Sequence, residues 1–305
     1  MARVTAAVVL SLATAVVMAL GPGVTRTTTA EAAGGPDMRA VVVGINEFQG
    51  RTRPNVAAVG DAMDVREALV RAGWADHQIR MLINGDATAA AMRAGLQWLS
   101  ENKDPNSHSV FFYSGHTKQI DGDPDKDGEA LDEFLWPHDN QFISDGEFSN
   151  YLKGIGGYAW IGIAACEAAG FDDGVNSDRR IFTAASAEHE KGYEYPAWNN
   201  SIWTGLFIDQ GMLQGRADAD ADGKVTFAEA AGYAGRIAPA MTARQKTGQQ
   251  SPYFAGGGGD RTFAPPPAPA EAPASPPAPA APGGLQPICL GTICIPHPLT
   301  LLEPR

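Results

Sequence analysis

Only three cysteines occur among the 305 residues, and Lys and Arg (23) are outnumbered by Asp and Glu (35). The resulting formal charge of −12 excludes the basic stripe that binding to nucleic acid or an anionic membrane surface requires. After residue 20 no stretch is apolar for long enough to cross a bilayer. The segment Gly44-Ile45-Asn46-Glu47-Phe48-Gln49-Gly50 lacks the glycine spacing of a dinucleotide or phosphate loop, which disfavours a nucleotide-binding domain. The scarcity of cysteine leaves one close pair, Cys289 and Cys294 in a short tail, and one odd thiol, Cys166.

What is present begins with Arg3, an apolar and small-residue run over 4–20, and Ala30-Glu31-Ala32 as a small-x-small cleavage site. Residues 1–32 therefore read as a secretory signal peptide; an uncleaved anchor is disfavoured because the run is short and its positive flank thin. Cleavage after Ala32 would leave 21 basic and 34 acidic residues and a charge of −13. A secreted chain, extracellular or associated with the cell wall, meets an oxidising compartment, where a Cys289–Cys294 disulfide is expected. No membrane contact beyond the signal peptide is expected.

Residues 38–262 carry the periodicity of one domain. Strands are predicted over 38–45, 79–83, 110–113, 159–165 and 180–185. A helix over 59–72 would present Val59, Met63, Val65, Leu69 and Val70, and another over 87–102 would present Met92, Leu96 and Leu99. Further helices are predicted over 200–213 and 227–238. Strands alternating with helices predict an α/β fold with a mostly parallel central sheet flanked by helices. The Pro/Ala-rich stretch 264–284 cannot bury a core and reads as an extended linker, followed by a short tail over 285–305.

Two of these strands end alike. One runs Val110-Phe111-Phe112-Tyr113-Ser114-Gly115-His116, the other Trp160-Ile161-Gly162-Ile163-Ala164-Ala165-Cys166. As parallel neighbours they would bring an imidazole and a thiol together outside the carboxyl ends of the sheet. A lone Cys in an apolar setting is ordinarily structural. The paired context points instead to a nucleophile that alkylates readily, with a base beside it.

The segment 218–229 carries a second signal. Asp218, Asp220 and Asp222 at positions one, three and five, Gly223 at six, Val225 at eight and Glu229 at twelve match an EF-hand calcium loop. Lys224 and Thr226 complete the ligand positions. A capping box between Thr226 and Glu229 is the alternative, and both can hold together. The acidic run 121–128 fails the same test, since counting from Asp123 puts Phe134 at twelve.

With Val41-Val42-Val43-Gly44, Gly60-Asp61-Ala62, Asp127-Gly128, Asp132-Glu133, Leu135-Trp136-Pro137-His138-Asp139 and Ile143-Ser144-Asp145 following in order, residues 39–254 resemble the caspase-like cysteine peptidases, metacaspases among them. The resemblance implies a caspase-like sandwich in which Cys166 attacks a peptide carbonyl and His116 handles protons. It further implies an oxyanion hole from the backbone amides of Thr117 and Cys166, and a pocket for Arg or Lys containing Asp61 and Ser114. A second calcium site would use Asp132, Asp145 and Asp173. Self-processing would fall at Arg179 or Arg180, between the cysteine strand and the next. The sequence departs from the family at Thr117, where a required positive φ would be costly, at Ala164 in place of a second pocket acid, and at Glu167, whose charge would oppose a thiolate. Two functions stay open: a secreted endopeptidase cutting after basic residues, helped by calcium, or a catalytically inactive caspase-like domain that binds calcium and a protein partner.

Overall fold

The computed structural model describes residues 37–124, 126, 128–172, 177–263, 288–290, 293–295 and 300–301. The expected signal peptide and the linker 264–284 lie outside them. The order begins β1 (Met38–Gly44), α1 (Ala58–Arg71), β2 (Ile79–Ile83), α2 (Ala89–Ser100) and β3 (His108–Ser114). A small-sheet region follows as β4 (Thr117–Asp121), β5 (Leu131–Leu135) and β6 (Ile143–Ser144), then α3 (Asp145–Lys153), β7 (Tyr158–Ala164) and β8 (Arg180–Ala184). Next come β9 (Tyr193–Tyr195), β10 (Asn200–Ser201), α4 (Ile202–Thr204), which continues as a π-helix over Gly205–Leu213, α5 (Phe227–Thr242) and β11 (Tyr253–Gly256). The tail contributes β12 (Ile288–Leu290), β13 (Ile293–Ile295) and β14 (Thr300–Leu301).

Six strands form the central sheet in the order β11-β8-β7-β3-β1-β2, all parallel except β11, which runs antiparallel to β8. Alternation along β1 shows why the strands are apolar throughout: Ala40 and Val42 enter one core with α1, α4 and α5, while Val41 and Val43 enter the other with α2 and α3. Both faces are thus covered, as the strand–helix alternation implies.

Two helices differ from expectation. The inner face of α1 is Ala58, Ala62, Val65, Ala68 and Leu69, whereas Met63 and Val70 are exposed. The apolar spacing of α1 covers more than the buried stripe, and only the positions three and four apart on one side meet the sheet. Helix α5 passes through Pro239, beyond the expected stop at 238, and ends at Thr242. Thr242 Oγ1 donates to the Ala238 carbonyl at 2.8 Å and accepts from Gln250 N at 2.8 Å, hydrogen bonds that secure the last turn past the proline.

Candidate active site

Strands β3 and β7 are direct neighbours, with Ser114 opposite Ala164. His116 and Cys166 therefore stand at equivalent positions, each two residues beyond its strand. Gly115 between them and the sheet has no room for a side chain, because a Cβ there would lie 2.6 Å from the Tyr113 hydroxyl. That hydroxyl, with a single proton to give, donates to the His116 carbonyl at 2.5 Å and lies 3.0 Å from the Trp136 carbonyl, fixing the turn. The imidazole is set from the β1–α1 connection: Nε2 lies 2.7 Å from the Arg53 carbonyl, and Phe48 stacks on the ring at 4.8 Å. A carbonyl only accepts, so Nε2 carries the proton and Nδ1 is the nitrogen able to take one from a thiol.

Cys166 is a buried thiol, 1% exposed, with Sγ 3.9 Å from the Gly192 carbonyl. This burial opposes the ready alkylation expected from the sequence, since the segment 186–192 folds back over the cysteine turn. Glu190 carbonyl accepts from Glu167 N at 2.8 Å, and Lys191 Nζ meets Glu167 Oε1 at 2.5 Å. The Glu167 charge is thus balanced rather than left facing the sulfur. Glu167 also takes the left-handed backbone conformation, φ 47°, ψ 26°, a costly geometry for a side-chain-bearing residue directly after Cys166.

Thr117 carries none of the strain that a positive φ would impose; it opens β4 in extended conformation opposite Leu135. Its hydroxyl donates to the Cys166 carbonyl at 2.7 Å, tying the two turns together. Trp136 N donates to the His116 carbonyl at 3.2 Å, so 116 and 136 form the hydrogen-bonded pair of this ladder and Thr117 the next, non-bonded one. Its N–H accordingly points away from β5, as an oxyanion donor would require.

The pocket residues Asp61 and Ser114 are brought together, with Ser114 Oγ donating to Asp61 Oδ2 at 2.7 Å. Ser201 N (2.9 Å) and Asn200 Nδ2 (3.2 Å) donate to Oδ1. Asp61 is fully buried, and burial pushes its pKa up to about 7 against the opposing pull of these hydrogen bonds. Asn200 Nδ2 also reaches Asp64 Oδ2 at 2.8 Å, and burial raises Asp64 to about 6. Asn200 and Ser201 have no signal in the sequence; Asp64 could have been found as the acid one turn beyond Asp61.

The two acidic regions differ. Carboxylates of Asp218, Asp220 and Asp222 lie within 4.8 Å of one another, and Gly223 has φ +84° at the turn. Glu229 accepts from Thr226 N and Thr226 Oγ1, both at 2.8 Å, and from Ala219 N at 2.9 Å, which lowers its pKa. The clustered aspartates and the capping box therefore coexist. At the other region the carboxylates grouped among the described residues are Glu129, Glu133 and Asp145. Glu133, buried beside Asp145, is pushed up to about 8, chiefly by desolvation. Asp173 lies outside the described residues. Arg180 is buried, its guanidinium donating to the Gly157 carbonyl at 2.6 Å and the chain around it paired in β8, which argues against cutting there.

Residues 37–252 match the family model described as Caspase domain. Among curated relatives, Metacaspase-1 of Cryptococcus neoformans is 33% identical over 112 residues, 33% of this chain and 23% of the relative. Metacaspase-1 of Meyerozyma guilliermondii is 32% identical over 113 residues, covering 34% and 27%. The chain thus spans about a quarter of the length of these relatives. A crystal structure of protein GSU0716 from Geobacter sulfurreducens superimposes with a TM-score of 0.54 at 15% identity, over 72% of this chain and 94% of that one, a likeness of fold. With the match running over most of the sheet and through both strand ends, the chain belongs to the caspase domain family of cysteine-type peptidases and is metacaspase-like within it.

Proposed function

We propose that the chain is a secreted cysteine endopeptidase that cuts after Arg or Lys and binds calcium. The observation that carries this reading is the Ser114–Ala164 register, which sets His116 and Cys166 side by side, with Nε2 of the imidazole held by the Arg53 carbonyl. Nδ1 takes the thiol proton as Sγ bonds to the scissile carbonyl carbon. The oxyanion is met by the amides of Thr117 and Cys166. Collapse breaks the C–N bond and the leaving amine receives the proton from His116; water then cleaves the thioester by the reverse sequence. A substrate guanidinium or ammonium would pair with Asp61, which must ionise to receive it.

Calcium would be held by Asp218, Asp220, Asp222, the Lys224 carbonyl, Thr226 and Glu229, hard oxygen donors at alternate positions. A second ion would be held by Glu129, Glu133 and Asp145. Export is supported by residues 1–32, and the tail disulfide by the pairing of Cys289 with Cys294 across β12 and β13. Directly opposed antiparallel residues have Cα separations of about 4.5–5.5 Å, within disulfide reach.

The burial of Cys166 favours the inactive, partner-binding alternative. Incubating the protein with a peptide library, with and without calcium, and mapping cuts by mass spectrometry separates the two. Cuts after Arg or Lys that vanish in Cys166→Ala and His116→Ala are expected; intact peptides under both conditions would establish the binding domain.

A further inference from the structure

Strand β9 is clamped between the two halves of the dyad. Just before it, the Gly192 carbonyl faces Cys166 Sγ and Lys191 holds Glu167. Within it, the buried Glu194 carboxylate accepts from Val56 N at 2.8 Å and Ala57 N at 2.7 Å. Those amides belong to the same connection whose Arg53 carbonyl holds His116. One edge of β9 is closed by β10. The other is closed by β14 of the tail, antiparallel, with Thr300 opposite Glu194 and Leu301 opposite Tyr193.

We propose that the chain's own residues Thr300 and Leu301 occupy this second edge of β9 in cis, as an intramolecular competitor of an extended peptide lying across the dyad. A strand edge offers a row of backbone donors and acceptors to any extended chain of suitable reach, which is how many domains capture peptides. The two edges of β9 are not alike: β10 leads directly into α4 and is fixed, whereas β14 comes from beyond the Pro/Ala-rich stretch. From Phe263 to Thr300, 36 intervening residues can span roughly 120 Å at full extension, ample to reach the site. Two paired residues make a weak contact on their own. Tethering supplies an effective concentration on the order of millimolar, so the segment is held in cis yet yields to a peptide that pairs over a greater length.

The consequence for catalysis rests on the peptidase reading, but peptide docking does not, and binding is therefore measured without turnover. In the full chain carrying Cys166→Ala, the Kd of a labelled extended peptide containing Arg is compared with and without Thr300→Pro/Leu301→Pro, which removes the one tail amide of the pair that faces β9. About tenfold tighter binding in the proline variant is expected, together with at least tenfold faster hydrogen exchange over 192–196 and unchanged exchange over β7. Equal exchange over 192–196 would overturn the cis pairing. Faster exchange with an unchanged Kd would overturn β9 as the peptide edge. A chain with Cys166 intact that binds the peptide as expected but never cleaves it would sink the peptidase reading and leave the docking edge standing.

Discussion

At Asp61, burial and hydrogen bonding pull against each other and burial wins, leaving a carboxyl that titrates near 7 in the fold and near 3.8 when unfolded. Between those values the folded chain keeps a proton that the unfolded chain has released, so this group's contribution to stability is greatest below about 4 and is lost as pH rises through about 7. Asp61→Asn should flatten that part of the urea-midpoint profile between pH 4.5 and 7.5, and the KM for an Arg peptide, which should fall as pH rises through 7 in the parent, should become high and pH-independent. Beside the nucleophile, Lys191→Met would leave the Glu167 carboxylate buried without its ammonium. The pH midpoint for alkylation of Cys166 should move upward, and Lys191→Met/Glu167→Gln should bring it back. Alkylation of the parent should itself be at least tenfold slower than in urea, given the 1% exposure of Cys166. The residues of the dyad could be read from the two strand ends, and Asp61 with Ser114 from the family's pattern. Lys191 and Asn200 could not, because each acts across the fold: Asn200 is 139 residues from Asp61, and no local periodicity records such a contact.

Among the elements, the loop 218–229 combines a helix cap with the proposed calcium site, and the two are separable by mutation. Removing the cap with Thr226→Ala should cost about 1 kcal/mol with or without calcium, since the Glu229 amide loses its acceptor. Asp218→Ala should leave the apo melting temperature near that of the parent and abolish the rise that millimolar calcium produces, while magnesium should do less in the parent. Differential scanning calorimetry of the three proteins with calcium, magnesium and chelator checks both. The grouping of Asp218, Asp220 and Asp222 and the Thr226–Glu229 cap were legible because they lie within twelve residues of one another. The cluster of Glu129, Glu133 and Asp145 was not, because its acids come from before β5, within β5 and the start of α3 and follow no local spacing.

Over the whole molecule, five of the six central strands follow from apolar runs alternating with helical patterns, since strands buried on both faces carry near-continuous apolar sequence. β11 and the strands of two or three residues, such as β6, β9 and β10, escape this reading, because so short a segment shows no periodicity and is made a strand only by its neighbour. The two cores also differ in content. Phe112 stacks parallel to Trp160 at 6.2 Å, and Trp160 in turn contacts Phe207, Phe227 and Phe263, joining the sheet to α4, α5 and the last residue before the linker. Phe112→Ala should cost about 3–5 kcal/mol, visible as a lower urea midpoint. Tryptophan fluorescence and circular dichroism should report a single shared transition.

The atom that orients the His116 imidazole is a main-chain oxygen. Arg53 itself is exposed, and any replacement that keeps the same main-chain path presents the same carbonyl. Pro54 follows it and confines the preceding residue to extended conformations, so the aim of that oxygen is written one position downstream of the residue that owns it. A mutational scan would score position 53 as tolerant and position 54 as sensitive. Lineages can drift freely at 53, and a genetic screen for the orienting group would pass over the residue that supplies it.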